Sequence, residues 1–397
     1  MHNSKRTLWI VSELFPPDET STAYILGEVA NAMAEKYDVK VICGPEIYDK
    51  RKKINQNNHF ILDNTIEVFR VSSLDVDKNT VKGKIESVFS SSIKLSKEVR
   101  KRVNKDDVVL MVTNPFPLIV LMARLKKKIG FELHVLVHDI FPENAKPANV
   151  TVPLLPIVKR LFDRAYASAD QLIALGRDMK VVLEAKIEGY NKKPRIVIIE
   201  NWADVVNINP APRKNNGIIK IEYAGNIGRG QGLKQFVEML SISSNKSIHF
   251  DLYGTGAVEE SLKKDVVANG LNDTVAFNGP YYRSEQNQVL NACDLALVTL
   301  ADGLYGLGVP SKSYNIMAAG KAILYIGHPE SEIALLIKEK NIGFVFSPLD
   351  QNGIVDFLSK LSEEKLHDIR EMGVRARKVA EEFYSEPYIL AKFKSAI

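Results

Sequence analysis

Short apolar runs that do not alternate with polar residues recur along the chain. TLWIVS (7–12), VKVIC (39–43), VVLMVT (108–113), ELHVLVH (132–138), QLIAL (171–175) and RIVII (195–199) lie in its first half. A strand with one wet face alternates apolar and polar residues. A strand without alternation is buried on both faces, which requires a parallel sheet with helices packed on either side. Helix-period segments lie between the runs. In 20–36, Ile25, Val29, Ala32 and Met33 recur at i, i+4, i+7 and i+8 and share one helix face.

The pattern pauses at 201–217, NWADVVNINPAPRKNNG, which carries two prolines and little periodicity and reads as an interdomain linker. A second series follows: IIKIEYAG (218–225), HFDLYG (249–254), VAFNG (275–279), LALVTL (295–300), AILYI (322–326) and GFVFS (343–347). A long helical pattern, 363–384, and YILAKFKSAI close the chain. The expected fold is α/β, with two doubly wound, Rossmann-like domains at 1–203 and 204–380 facing across a cleft, and a C-terminal segment 381–397. Open parallel sheets bind ligands beyond the carboxyl ends of their strands, where the strand order reverses. The loops after the strands are therefore the places to look for chemistry.

The first such loop, SELFPPDETST (12–22), is stiffened by Pro16-Pro17, and Asp18, Thr20, Ser21 or Thr22 can cap the next helix. It lacks the glycine fingerprint of a dinucleotide site, which argues against a dehydrogenase. ELHVLVHD ends in His138-Asp139, an imidazole and a carboxylate placed to meet a ligand. Asn114 ends the preceding strand in a similar position. His134, deeper in its strand, reads as a core residue.

The second domain opens with AGNIGRGQGLKQF (224–236), where Gly225, Gly228, Gly230 and Gly232 surround Asn226, Arg229 and Gln231. Glycines admit an anion close to the backbone, the following helix offers free N–H groups, and a guanidinium fork matches phosphate. LYGTGAVEE repeats the form with Gly254 and Gly256. In GVPSKSYNIMAAGKAIL (308–324), Gly308 precedes Ser311, an expected N-cap, and Lys312, a cation in the first turn of a helix. Lysine there opposes the helix dipole, and an anion bound at the same place resolves the conflict. The reading is a diphosphate site.

The net charge is +5, too weak to argue for nucleic acid. Residues 78–105 concentrate nine Lys/Arg against two Glu, with Val88, Ile93, Leu95, Val99 and Val103 interleaved. A solvated amphipathic helix and a contact with an anionic membrane both fit. Cys43 and Cys293, far apart, form neither a disulfide framework nor a metal site, and a reducing compartment is expected. The N-terminal stretch enters a strand directly, which predicts no signal peptide.

The ordered set FPPDETSTAY, HDIFPEN, RAYASADQLIALGRDM, ENWAD, YAGNIGRGQGL, YGTG, NACDLALVTL and PSKSYNIMAAGKAI, spread over nearly the whole chain, resembles the GT-B glycosyltransferases of family 4. The likeness is to the members that build bacterial surface polysaccharides and O-antigens. The resemblance implies a retaining transferase without metal or other cofactor. Its nucleoside-diphosphate sugar, expected to carry UDP, would lie at Asn226, Gly228, Arg229, Gln231, Gly254, Gly256, Gly308, Ser311, Lys312 and Asn315. A glycan or lipid-linked acceptor would lie toward Thr20, Ser21, Thr22 and Asn114, with His138 and Asp139 at the reacting face. The implied location is cytoplasmic, at the inner face of the plasma membrane. The sequence departs from the family where two glutamates are usual, at Leu307 and Asn315, and where two cations are usual, at Asn226 and Gln231. A GT-B sugar-nucleotide 2-epimerase and a non-catalytic partner subunit are the alternatives.

Overall fold

The computed structural model describes residues 5–46, 60–72, 81–147, 150–213 and 217–397. In the first domain, strands β1 (Thr7–Ser12), β2 (Asp38–Cys43), β3 (Glu67–Arg70), β4 (Val108–Val112), β5 (Glu132–Leu136), β6 (Gln171–Ala174) and β7 (Arg195–Ile198) form one parallel sheet. Its order is β3-β2-β1-β4-β5-β6-β7. The second sheet contains β8 (Ile219–Ala224), β9 (Ile248–Tyr253), β10 (Val275–Gly279), β11 (Leu295–Thr299), β12 (Ala322–Ile326) and β13 (Gly343–Phe346). It too is parallel, in the order β10-β9-β8-β11-β12-β13. The strand order reverses between β1 and β4 in one sheet and between β8 and β11 in the other.

Every residue of β4, β11 and β12 is buried, which is why these strands show no alternation. Helices cover both faces. The helix Ser21–Met33 buries Leu26, Val29 and Met33, and each fully buried side chain of that size contributes roughly 1.5–3 kcal/mol. Edge strand β3 (EVFR) has no fully buried residue and left no apolar run to read. The helices Val81–Arg102, Leu118–Ile129 and Leu155–Ala167 pack side by side in the first domain. Residues 78–80 of the basic stretch lie outside the described residues.

The chain crosses between the domains twice. On the way out, the Ala203 N–H donates to the Tyr384 carbonyl at 2.7 Å, tying the outgoing segment to the returning one. Arg377 donates to the carbonyls of Ile208 and Ala318 at 2.6 Å and of Val205 at 2.9 Å. On the way back, the helix Glu386–Ala396 buries Ile389 and Phe393 in the first domain's core. Its end is fixed by the Tyr37 hydroxyl, which donates to the Ile397 carbonyl at 2.6 Å.

Candidate active site

Both switch points carry functional groups. In the first domain, Thr113 directly follows β4, and its hydroxyl oxygen accepts from the backbone N–H groups of His138 (3.1 Å) and Asp139 (3.2 Å). The Tyr166 hydroxyl donates to the Asp139 carbonyl at 3.3 Å. The next turn is anchored by Glu143, whose two oxygens lie 2.8 Å from the buried Lys186 ammonium. The same ammonium lies 2.6 Å from Asp163. The His138-Asp139 step is thus held by the loop after β4 and by the helix that carries Tyr166.

His138 Nδ1 lies 3.3 Å from the Thr22 hydroxyl, while its buried Nε2 has no hydrogen-bond partner. Burial pushes the imidazole down to about 4, so it is neutral at pH 7 and one nitrogen is available. The Asp139 side chain reaches solvent but sits low in the cleft with protein around it, and this desolvation raises its pKa. Thr20 is the N-cap of the helix that follows, accepting from Ala23 N–H at 3.3 Å, and its own N–H donates to Asp18. Ser21 is exposed at the helix start, and Asn114 is half-buried beside Thr113. His134 is a satisfied interior residue, bonded to Glu132 and Gln171.

In the second domain, β8 is followed directly by Gly225, whose φ of +147° suits glycine. A Cβ there would lie 2.8 Å from the Lys312 Nζ, so the lysine occupies the space that glycine leaves open. The buried Lys312 ammonium lies 3.5 Å from the centroid of the Tyr223 ring and has no hydrogen-bond partner. Burial pushes its pKa down to about 7. The Tyr223 hydroxyl donates to the Asn226 carbonyl at 2.7 Å and lies 3.2 Å from Gln231 Oε1. Asn226 and Arg229 are exposed on the loop above, with Gly228 between them half-buried.

The structure adds local detail at several of these positions. Ser311 precedes the helix Lys312–Ala318 but makes no side-chain capping bond, because its backbone is already helical (φ −60°, ψ −25°). Its exposed hydroxyl is not used as a cap. Asn315 accepts from the Asp204 N–H at 3.0 Å through its side-chain carbonyl, so its oxygen holds the interdomain crossing. Gly254 and Gly256 meet backbone: a Cβ would come within 2.0 Å of the Gly225 oxygen or 2.2 Å of the Ile227 oxygen. Their lack of a side chain is required to seat the first loop.

The two crevices meet. The Ile140 N–H donates to the Leu307 carbonyl at 3.3 Å, and a Cβ on Gly308 would lie 3.4 Å from Asp139 Oδ1. Gly308 thereby brings the loop that leads to Lys312 against the His138-Asp139 step. Beside it, Arg177 of the first domain pairs with Glu332 (3.0 Å) and Glu339 (2.7 Å) of the second. The loop 300–310 encloses only about 10 Å³ with Asp178, His328 and Glu332, roughly one water. The domains are closed on each other here. Thr113 and Arg177 escaped the sequence reading because their partners are distant in the chain, as did the contact of the Tyr223 ring with Lys312. Among the described residues, no cluster of metal-ligating side chains is present.

The arrangement offers an unpaired buried cation beside glycine backbone on one side. On the other it offers a neutral imidazole, hydroxyls and a carboxylate. That combination suits an anionic leaving group facing a hydroxylated substrate. Residues 206–379 match the family model described as glycosyl transferases group 1. Over 98% of its length, and 97% of the relative's, the chain is 31% identical to "Probable glycosyltransferase WbjE" of Pseudomonas aeruginosa. Among solved structures, sucrose-phosphate synthase of Thermosynechococcus elongatus superposes with a TM-score of 0.76 at 12% identity, covering 99% of this chain and 98% of that one. Anabaena Alr3699/HepE, solved with UDP, superposes with a TM-score of 0.71 at 14% identity, covering 98% and 99%. The fold is GT-B, and the chain belongs to the group 1 glycosyltransferases.

Proposed function

We propose that this glycosyltransferase belongs to family 4 and moves a sugar, with retention, from a UDP-sugar to a glycan or lipid-linked sugar. On this reading it acts in cell-surface polysaccharide or O-antigen synthesis at the inner face of the plasma membrane. The observation that carries the reading is the buried, unpartnered Lys312 ammonium behind the Gly225 loop, at the β8/β11 switch point. A diphosphate supplies the counter-charge that the protein withholds. UDP as the carrier is supported by the fold shared with HepE, a protein solved with that nucleotide.

In the reaction, the bond from the anomeric carbon to the β-phosphate oxygen breaks. The acceptor hydroxyl oxygen bonds to the same carbon, and its proton leaves on the departing diphosphate. Lys312 and the exposed Arg229 oppose the charge that develops on that oxygen. His138 and Asp139 orient the donor sugar or acceptor at the reacting face. The residues at Leu307 and Asn315 deprive the donor of two customary carboxylate contacts. The charge complement therefore rests on fewer groups, Lys312 first among them.

Calorimetry with UDP, GDP, UMP and NAD on the wild type and Lys312→Ala tests the donor site. UDP is expected to bind best, to lose affinity sharply as UMP, and to lose about 20-fold or more in the variant, the equivalent of one charge-assisted hydrogen bond. Unchanged affinity in the variant would remove Lys312 from the site. Incubation with UDP-sugars alone separates transfer from 2-epimerisation. Binding without turnover on any acceptor would instead mark a non-catalytic subunit.

A further inference from the structure

Large apolar side chains exposed to solvent are concentrated on two segments of the first domain. Ile85, Phe89 and Ile93 follow one another at every fourth residue of the helix Val81–Arg102, forming one stripe. Leu154, Ile157 and Leu161 lie at the start and first turns of the helix Leu155–Ala167; Leu154 is 72% and Ile157 66% exposed. The two segments are joined by aromatic rings. Phe89 meets Phe116 edge-on at 6.2 Å, Phe116 stacks on Phe141 at 4.1 Å, and Phe141 contacts Phe162 at 4.8 Å.

This surface has a definite place. Phe116 follows the carboxyl end of β4, and Phe141 follows that of β5, two residues beyond Asp139. The apolar face therefore adjoins the mouth of the cleft. Its surroundings are basic: Lys97, Arg100 and Lys101 are exposed further along the first helix, and Arg160 and Arg164 on the second. An apolar stripe bordered by cations is the pattern of a segment lying in a membrane interface. Two-fold self-association through the same face would bring two sets of cations together, which disfavours a second copy as the occupant.

We propose that this face docks on an anionic lipid bilayer. The side chains of both helices sit at the headgroup boundary, and the His138-Asp139 step is turned toward the surface. The inference rests on the lipid-linked acceptor reading above and extends it from the basic helix to the second, non-contiguous segment and the rings between them. No helix among the described residues is long and apolar enough to cross a membrane, so attachment is by contact.

Co-sedimentation of the full chain with phosphatidylcholine vesicles, with and without phosphatidylglycerol, tests it. The wild type should partition to the anionic vesicles and little to the neutral ones. Replacing both Leu154→Ser and Ile157→Ser should lower partition about tenfold or more. Lys97→Ala with Arg100→Ala and Lys101→Ala should lower it by a similar factor. UDP affinity should be unchanged in both variants, which also reports that they fold. Wild-type protein that stays in solution with anionic vesicles overturns the proposal. So does full binding by the Leu154/Ile157 variant, which would mean a purely electrostatic contact. A dimer seen by sedimentation velocity and lost in that variant would also overturn it, assigning the face to a second copy. Vesicle binding with no affinity for UDP would refute the donor reading and leave the docking face standing.

Discussion

The two switch points have the same topology and opposite chemistry. At the β1/β4 crevice, polar groups fix one another's positions: Thr113 takes the N–H groups of His138 and Asp139, and Thr22 faces one imidazole nitrogen while the other, uncharged, stays open. At the β8/β11 crevice, the central group is left without a partner: Lys312 lies against a tyrosine ring and a glycine with no acceptor in reach. One side is finished as geometry and the other awaits a charge. The difference teaches that the parallel sheet supplies only a location, and the side chains decide whether it holds a neutral or an anionic group.

Substitution on each side tests this division. His138→Ala should reduce turnover about 100-fold, the scale of a lost orienting or proton-handling group, while UDP affinity holds. Turnover within a few-fold of wild type would take His138 out of the reaction. A pH series probes the charged side. Lys312 is protonated below about 7 in the free protein, and a bound diphosphate restores it toward the ordinary lysine value. Binding above pH 7 must therefore take up a proton, and UDP affinity should fall by up to about tenfold per pH unit as pH rises. Calorimetry in buffers of different ionisation enthalpy reads the proton directly, and the slope should vanish in Lys312→Ala.

A smaller effect is expected for Thr113→Val, which keeps the shape and removes the shared acceptor. Two backbone N–H groups lose their partner, at a cost of about 1–3 kcal/mol in stability, with turnover down roughly tenfold and UDP affinity unaltered. Loss of nucleotide affinity instead would show that the crevices are not separable. The mildest change separates fold from site. Glu222, inside the second sheet, has both oxygens buried without partners, and burial with Asp251 nearby pushes it up to about 8. The folded state holds that proton more tightly than the unfolded chain, whose value is the ordinary 4.5. Stability from this group is full below about 4.5 and is lost as pH rises through about 8. Glu222→Gln should raise Tm by a few degrees near pH 8.5 (about 2–4 °C), little at pH 5, and leave UDP binding alone.

What could be read beforehand follows from how local each cause is. Buried parallel strands announce themselves by continuous apolar runs, so β1 and β12 fall where TLWIVS and AILYI place them. Edge strand β3 is covered on one side only by a neighbour and carries no such run. Gly225 and Lys312 are visible as a glycine loop and an ill-placed cation, but their contact spans separate elements. The Thr113 bonds to His138 and Asp139 cross 25 and 26 residues, and nothing near Thr113 signals them. The bond that Asn315 accepts is hidden for the same reason: its donor, Asp204, lies 111 residues away.

The double crossing between the domains also limits how they can move. A single tether would leave one domain free to rotate about three axes relative to the other. Here the outgoing segment at Ala203 and the returning one at Tyr384 are bonded side by side, and Arg377 grips the outgoing strand at two further carbonyls. A swing about these adjacent fixed points would part Gly308 from Asp139 and Arg177 from Glu332 together. Opening far from the crossing is amplified by leverage, while the crossing itself stays packed. Such a swing would open both crevices along a single mechanical coordinate.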